Sequence, residues 1–172
     1  MLKDSNIDKI LDILFKCPTT EFHIRELSRK SGISPPTVLT IVEILKKNNL
    51  VKTYKKGNMK IVKASGSADF IRDKRIDNLS QIYETKIVDY LNDLYENPQS
   101  IILFGSFSRG DDIEKSDIDI AVITKTHKES DMKNFEKKLS RKVSIHEINV
   151  KKVSKEFYNN LINGIVIHGA MQ

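Results

Sequence analysis

Asp117 and Asp119 occupy alternate positions of the apolar run Asp-Ile-Asp-Ile-Ala-Val-Ile, and ten residues separate them from the Gly105–Ser106 pair that closes another apolar run, Ser100–Phe104. Period-two alternation predicts a strand on which both carboxylates point to one face. Two like charges that close repel each other and raise each other's pKa unless a cation lies between them, so the natural occupant is a hard divalent ion such as Mg²⁺. A Gly-Ser turn at the end of a buried strand lets backbone N–H groups approach an anion. The combination suits a metal–triphosphate, with the turn on the phosphate tail and the aspartates on the ion.

The strand, the Gly105–Ser106 turn, the ten-residue spacing and Asp117-x-Asp119 together resemble the active-site signature of the minimal nucleotidyltransferases of the DNA polymerase β superfamily. Arg109-Gly110 after the turn and Ser116 before Asp117 fit the same pattern, which covers roughly residues 80–170, and Asn163–Gly169 resembles the ending of such domains. The resemblance implies transfer of a nucleoside monophosphate, AMP from ATP foremost, with release of pyrophosphate. Gly105, Ser106, Arg109 and Ser116 would then serve the nucleotide, and Asp117 and Asp119 the Mg²⁺ and the catalysis, with Arg109 or Lys115 neutralising the triphosphate. Small members of the family include antitoxins that adenylylate a HEPN-type toxin, so a HEPN-type protein is an implied partner.

The family carries a third carboxylate on a later strand, and the matching run here, Lys142–Asn149, has Ser144 at that position. Serine brings no charge and is a poor base near neutral pH. His146 shares a strand face with Ser144 and is the catalytic candidate in its place, whereas Glu147 would need a bulge to turn inward. Asp111, Asp112 and Glu114 read as a solvated loop or the start of a short helix.

Positioning these residues requires a small α/β sheet, with strands at 100–104, 117–123 and 143–149, helices at 130–141 and 154–161, and cover on one side. Ahead of it, apolar residues from Phe70 to Leu94 keep helical spacing and predict one long helix over 69–96. Its length implies that it spans two units or pairs with a second copy, making the chain a homodimer.

Residues 1–65 form a different unit. Ser5 caps a helix with apolar Ile7, Ile10, Leu11 and Leu14, and Pro18 stops it. A short strand at 21–24, a helix ended by Gly32, and a helix capped by Ser34 with Pro35 and Pro36 in its first turn follow. Residues 50–54 and 59–63 make a hairpin with a basic tip. Helix-turn-helix plus hairpin resembles the winged-helix DNA-binding domain. The resemblance implies double-stranded DNA as a partner, met by Ser34, Pro36, Thr37 and Thr40 of the third helix and by Lys46, Lys55, Lys56 and Lys60 around the hairpin. Leu39 and Ile44, also on outer positions, leave a protein-binding role open.

Charge divides the chain in the same way. There are 13 Lys and Arg against 6 Asp and Glu up to Ser65, and 16 against 17 after it, within a total of +6. Basicity thus belongs to the unit that would meet phosphates. The single cysteine, Cys17, permits no internal disulfide, and no apolar run approaches the ~20 residues that span a bilayer. The expected class is α+β and cytoplasmic: a winged helix-turn-helix at 1–65, a linking helix at 66–98 and a nucleotidyltransferase-like sheet at 99–172. Two functions compete, an enzyme carrying a DNA reader and a transcriptional regulator whose sheet serves only as nucleotide sensor or dimerisation scaffold.

Overall fold

Ser5 opens the first helix through a reciprocal cap: its hydroxyl accepts from the Asp8 N–H at 3.1 Å and the Asp8 carboxylate accepts from the Ser5 N–H at 3.3 Å. In this computed structural model, which describes residues 5–149 and 153–171, the chain forms two compact units that divide between Lys74 and Arg75.

The first unit contains α1 (Asn6–Lys16), β1 (Phe22–His23), α2 (Ile24–Ser31), α3 (Pro35–Lys47), β2 (Val51–Lys56) and β3 (Met59–Ala64). Gly32, at φ 72°, ends α2 in the left-handed conformation, and α3 starts after the Ser34 cap with Pro35 at its first position. The three strands pair antiparallel in the order β1-β3-β2, and Gly57-Asn58 close the tight β2–β3 hairpin. Ile10, Leu14, Leu27, Val38, Val42 and Val62 are wholly buried and make the core. Helix α4 (Ala68–Glu84) begins in this unit, where the Ser67 hydroxyl accepts from the Phe70 N–H and Phe70 packs 5.2 Å from Phe15.

The expected single helix over 69–96 is two helices, α4 and α5 (Ile87–Leu94). Between them the Thr85 hydroxyl donates to the Ile82 carbonyl and Lys86 takes φ 65°. That left-handed residue re-aims the chain so that Ile87, Val88 and Leu91 join the core against the sheet. Regular apolar spacing continues across the break, which is why the sequence reads as unbroken.

The second unit then runs β4 (Ser100–Phe104), α6 (Gly105–Arg109), β5 (Ile118–Ile123), α7 (Lys133–Leu139), β6 (Val143–Ile148), α8 (Lys155–Ile162) and β7 (Ile165–Gly169). Its sheet has four strands in the order β6-β5-β4-β7, with β5 and β6 parallel and the other pairs antiparallel. The fourth strand, β7, lies where the sequence showed only a family-like ending. Cover on one side was expected, but both faces are covered. Ile101, Leu103, Ile120 and Val122 pack with α5 and α7 on one face, whereas Ile102, Phe104, Ala121 and Ile123 pack with Phe157 and Leu161 of α8 on the other. The uninterrupted apolar runs of β4 and β5 are the reason, because a strand buried on both faces cannot alternate.

Candidate active site and nucleic-acid interface

The antiparallel register of β4 and β5 sets Phe104 opposite Asp119 and so brings the Gly105–Ser106 turn beside that carboxylate. Gly105 has φ 74°, and a Cβ there would lie 2.7 Å from Asp119 Oδ2. Glycine is required twice, for the left-handed backbone and for the space that the carboxylate fills. Ser106 is the second residue of α6 and is partly exposed.

Asp119 projects from the face of β5 that α8 covers. The parallel register places Ser144 of β6 directly beside it, so the neighbour available for a third carboxylate is a hydroxyl. His146, two residues along the same strand face, sets Nε2 3.2 Å from Asp119 Oδ1. Its ring stands edge-on to Phe104 at 5.2 Å and 6.2 Å from Phe157, which restricts its rotation. Both side chains keep about a third of their surface exposed, 36% for His146 and 32% for Asp119. An ionised carboxylate only accepts, so Nε2 carries the proton and, in the neutral ring, Nδ1 keeps the lone pair.

The remaining candidates are dispersed. Asp117 is exposed and lies one residue before β5. The Ser116 hydroxyl accepts from the Ile113 N–H at 3.0 Å and closes a turn. Arg109 is exposed, and its Nε lies 3.1 Å from Asp111 Oδ2. Among the described residues no group of three His, Cys, Asp or Glu side chains gathers in a metal-holding arrangement. Two carboxylates such as Asp117 and Asp119 would suffice for one Mg²⁺ completed by phosphate and water rather than held in an all-protein cage.

One expectation is corrected here. Asp112 is not solvated: its side chain is wholly buried and pairs with Arg141 Nη2 at 2.9 Å. Glu147 lies on the opposite face, as a regular strand requires, accepting from the Tyr95 hydroxyl at 2.7 Å and the Lys128 N–H at 2.8 Å and pairing with His127 Nδ1. Burial pushes the Glu147 carboxyl up, but the hydrogen bonds from Lys128, His127 and Tyr95 outweigh it and hold the group below the usual carboxylate range. Glu147 in turn raises His127, chiefly through their hydrogen bond. Arg141 and Asn78, which the motif did not point to, reach the loop between the Gly-Ser turn and Asp117. No local signal marks them, because their partners are 25 to 34 residues away in sequence.

In the first unit, Ser34, Pro36, Thr37 and Thr40 are exposed on α3, as are Leu39 and Ile44. The hydroxyls are already engaged locally: Ser34 bonds Thr37 Oγ1 at 2.8 Å and Thr40 donates to the Pro36 carbonyl at 3.2 Å. Lys46, Lys55 and Lys56 are exposed, with Lys56 Nζ 3.9 Å from Glu21, while Lys60 pairs with Glu43 of α3. That contact joins the hairpin to α3, and the Lys60 hydrogen bond holds the Glu43 carboxyl below its usual range.

A strand, a Gly-Ser turn, and an aspartate packed against that turn in a mixed sheet define a nucleotidyltransferase-type domain, here following a winged helix-turn-helix. A family model described as "Polymerase beta, Nucleotidyltransferase" matches residues 85–171, half of the chain, and the chain belongs to that family. A second model, "Winged helix-turn-helix DNA-binding", matches residues 4–52, so the nucleotidyltransferase domain is joined to an N-terminal DNA-binding domain of that type. Among solved structures, the chain is similar to the homodimeric winged helix-turn-helix DNA-binding domain of a possible ArsR-family transcriptional regulator from Mycobacterium bovis, at 20% identity and TM-score 0.38 over 52% of this chain and 76% of that one. It is also similar to a putative nucleotidyltransferase from Sulfolobus solfataricus, at 20% identity and TM-score 0.33 over 59% of this chain and 88% of that one. No curated protein gave a significant match. Among the described residues no helix is long and apolar enough to cross a membrane.

Proposed function

We propose that the nucleotidyltransferase domain binds Mg²⁺-ATP and transfers AMP to a hydroxyl or a protein side chain, in a DNA-binding protein that acts as an antitoxin-type regulator. The observation that carries this reading is the packing of Asp119 against Gly105, since a carboxylate pressed onto a turn with no side chain brings metal ligand and phosphate-binding backbone together. Asp117 and Asp119 would hold the Mg²⁺, which when bound supplies charge neutralisation at the triphosphate and polarises the phosphoryl oxygen. The Gly105–Ser106 backbone and the Ser106 hydroxyl orient the phosphate tail, and Arg109 is free to swing from Asp111 because their pair is solvent-exposed. His146 orients Asp119 through Nε2 and accepts the acceptor hydroxyl's proton at Nδ1. The resemblance to antitoxin members supports a HEPN-type toxin as the protein acceptor. Exposed Ile76 and Tyr83, seven residues apart on α4, support a homodimer.

A second reading has its own observation. Ser144 beside Asp119 leaves the site one carboxylate short of its family, which favours a regulator that senses the nucleotide without turning it over. Calorimetry with ATP, with and without Mg²⁺, tests the site on the wild type and on Asp117→Ala/Asp119→Ala. Mg²⁺-dependent binding that the double variant loses is expected, and absent binding in the wild type overturns both nucleotide readings. Pyrophosphate release that disappears in Asp119→Ala favours transfer, whereas binding without release favours the sensor.

A further inference from the structure

Between α6 and β5 the chain makes an irregular loop, and one side chain from outside the motif holds it in several places. Arg141, in the turn between α7 and β6, is 7% exposed. Its Nη2 lies 2.9 Å from Asp112 Oδ2, and Nη1 donates to the Ser116 carbonyl at 3.1 Å and to the Ile113 carbonyl. The guanidinium also stands 5.9 Å from the centre of the Phe107 ring. Asn78 of α4 closes the other side, its Nδ2 donating to Asp112 Oδ1 at 2.8 Å and to the Phe107 carbonyl at 2.9 Å. The residue after Arg141 continues the pattern, because the Lys142 carbonyl accepts from the Ile118 N–H at 2.9 Å.

These contacts grip α6 just after the Gly-Ser turn and the turn just before Asp117. Asp117 itself is exposed and outside the ladder of β5, so strand pairing does not fix its carboxylate. A buried carboxylate and two carbonyls served by one side chain need the five-donor planar fork of arginine, because an ammonium on a flexible stem is a single point of contact. We propose that Arg141, with Asp112 and Asn78 behind it, is the positioning residue that sets Asp117 relative to the Gly105–Ser106 turn, and thereby sets the affinity of the site for metal–nucleotide. The part concerning affinity rests on the nucleotide reading above; the part concerning the loop does not.

The test uses the full chain and two variants. Arg141→Lys keeps the buried positive charge opposite Asp112 but loses the fork, and Asn78→Ala removes an uncharged clasp in case the lysine variant does not fold. Amide exchange over residues 106–117 is expected to become about tenfold faster, the equivalent of one lost hydrogen bond to a charged group. Exchange in β4 and β5 is expected to stay at the wild-type rate. Mg²⁺-ATP affinity, measured on the folded variants, is expected to fall by about tenfold, the lower end of what losing a residue that orients a metal ligand costs. Wild-type exchange across the loop in a variant that still melts cooperatively overturns the proposal, as does a loosened loop with unchanged affinity. If the wild type binds no Mg²⁺-ATP, the nucleotide reading fails and exchange alone decides whether Arg141 holds the loop.

Discussion

Replacing Gly105 by alanine separates two demands that the site makes on one residue. The first is conformational: an L-residue at φ 74° costs about 1–2 kcal/mol relative to the right-handed regions. The second is steric, since the new Cβ would lie 2.7 Å from Asp119 Oδ2 and the carboxylate must shift. Moving it loosens the 3.2 Å bond to His146 Nε2, worth about 1 kcal/mol for an ordinary net hydrogen bond. Gly105→Ala should therefore cost about 2–3 kcal/mol. Gly66→Ala is the control, because Gly66 has φ 65° but nothing within 4 Å of an added Cβ, and it should show only the conformational cost of about 1–2 kcal/mol. Urea unfolding gives both values. Combining Gly105→Ala with Asp119→Ala completes a double-mutant cycle in which the steric part disappears, leaving a coupling energy of about 1 kcal/mol. Calorimetry on Gly105→Ala should also show Mg²⁺-ATP binding weakened with the displaced carboxylate. Equal costs for Gly105→Ala and Gly66→Ala, with no coupling to Asp119, would refute the claim that this glycine exists to seat the aspartate.

Two further predictions concern β6. Ser144→Asp places a carboxylate in register beside Asp119, so the variant should melt below the wild type without metal and regain stability with Mg²⁺, because the cation relieves the like-charge repulsion. A melting temperature that Mg²⁺ does not raise more than in the wild type would count against a metal at this position. The Glu147 network predicts a pH dependence of known sign. A carboxyl held below its usual 4.5 stabilises above that value and loses the effect as pH falls through its folded pKa. His127, raised above its usual 6.5, stabilises below that value and loses the effect as pH rises through its folded pKa. The stability difference between wild type and Glu147→Gln should thus be largest from about pH 4.5 to 6.5 and shrink on both sides, as followed by thermal melts; a difference that stays the same well below and well above that window would contradict the pairing.

The sequence made the elements legible where local chemistry is decisive. Ser5 and Ser34 cap their helices, Gly32 ends α2, Gly57-Asn58 turn the hairpin, and the alternation that begins at Asp117 marks β5, although the strand itself starts one residue later at Ile118. These signals lie within a few residues of what they control. The break at Thr85–Lys86 was hidden because a left-handed lysine leaves no trace in apolar spacing, and β7 was hidden because Ile165–Gly169 is too short to stand out.

The sequence by itself determined which residues could do chemistry: Gly105, Ser106, Asp117, Asp119, and a serine where a carboxylate is expected. Their order and spacing follow from chain geometry, and a strand's period of two needs no tertiary contact. Only the folded structure decided which of them meet. It set Asp119 against Gly105 and His146, left Asp117 outside the ladder, gave Glu147 the Tyr95 hydroxyl as a partner, and buried Asp112 under Arg141. Those outcomes depend on strand register and on contacts between residues far apart in sequence, where pairing energy is gained only once the chain has closed.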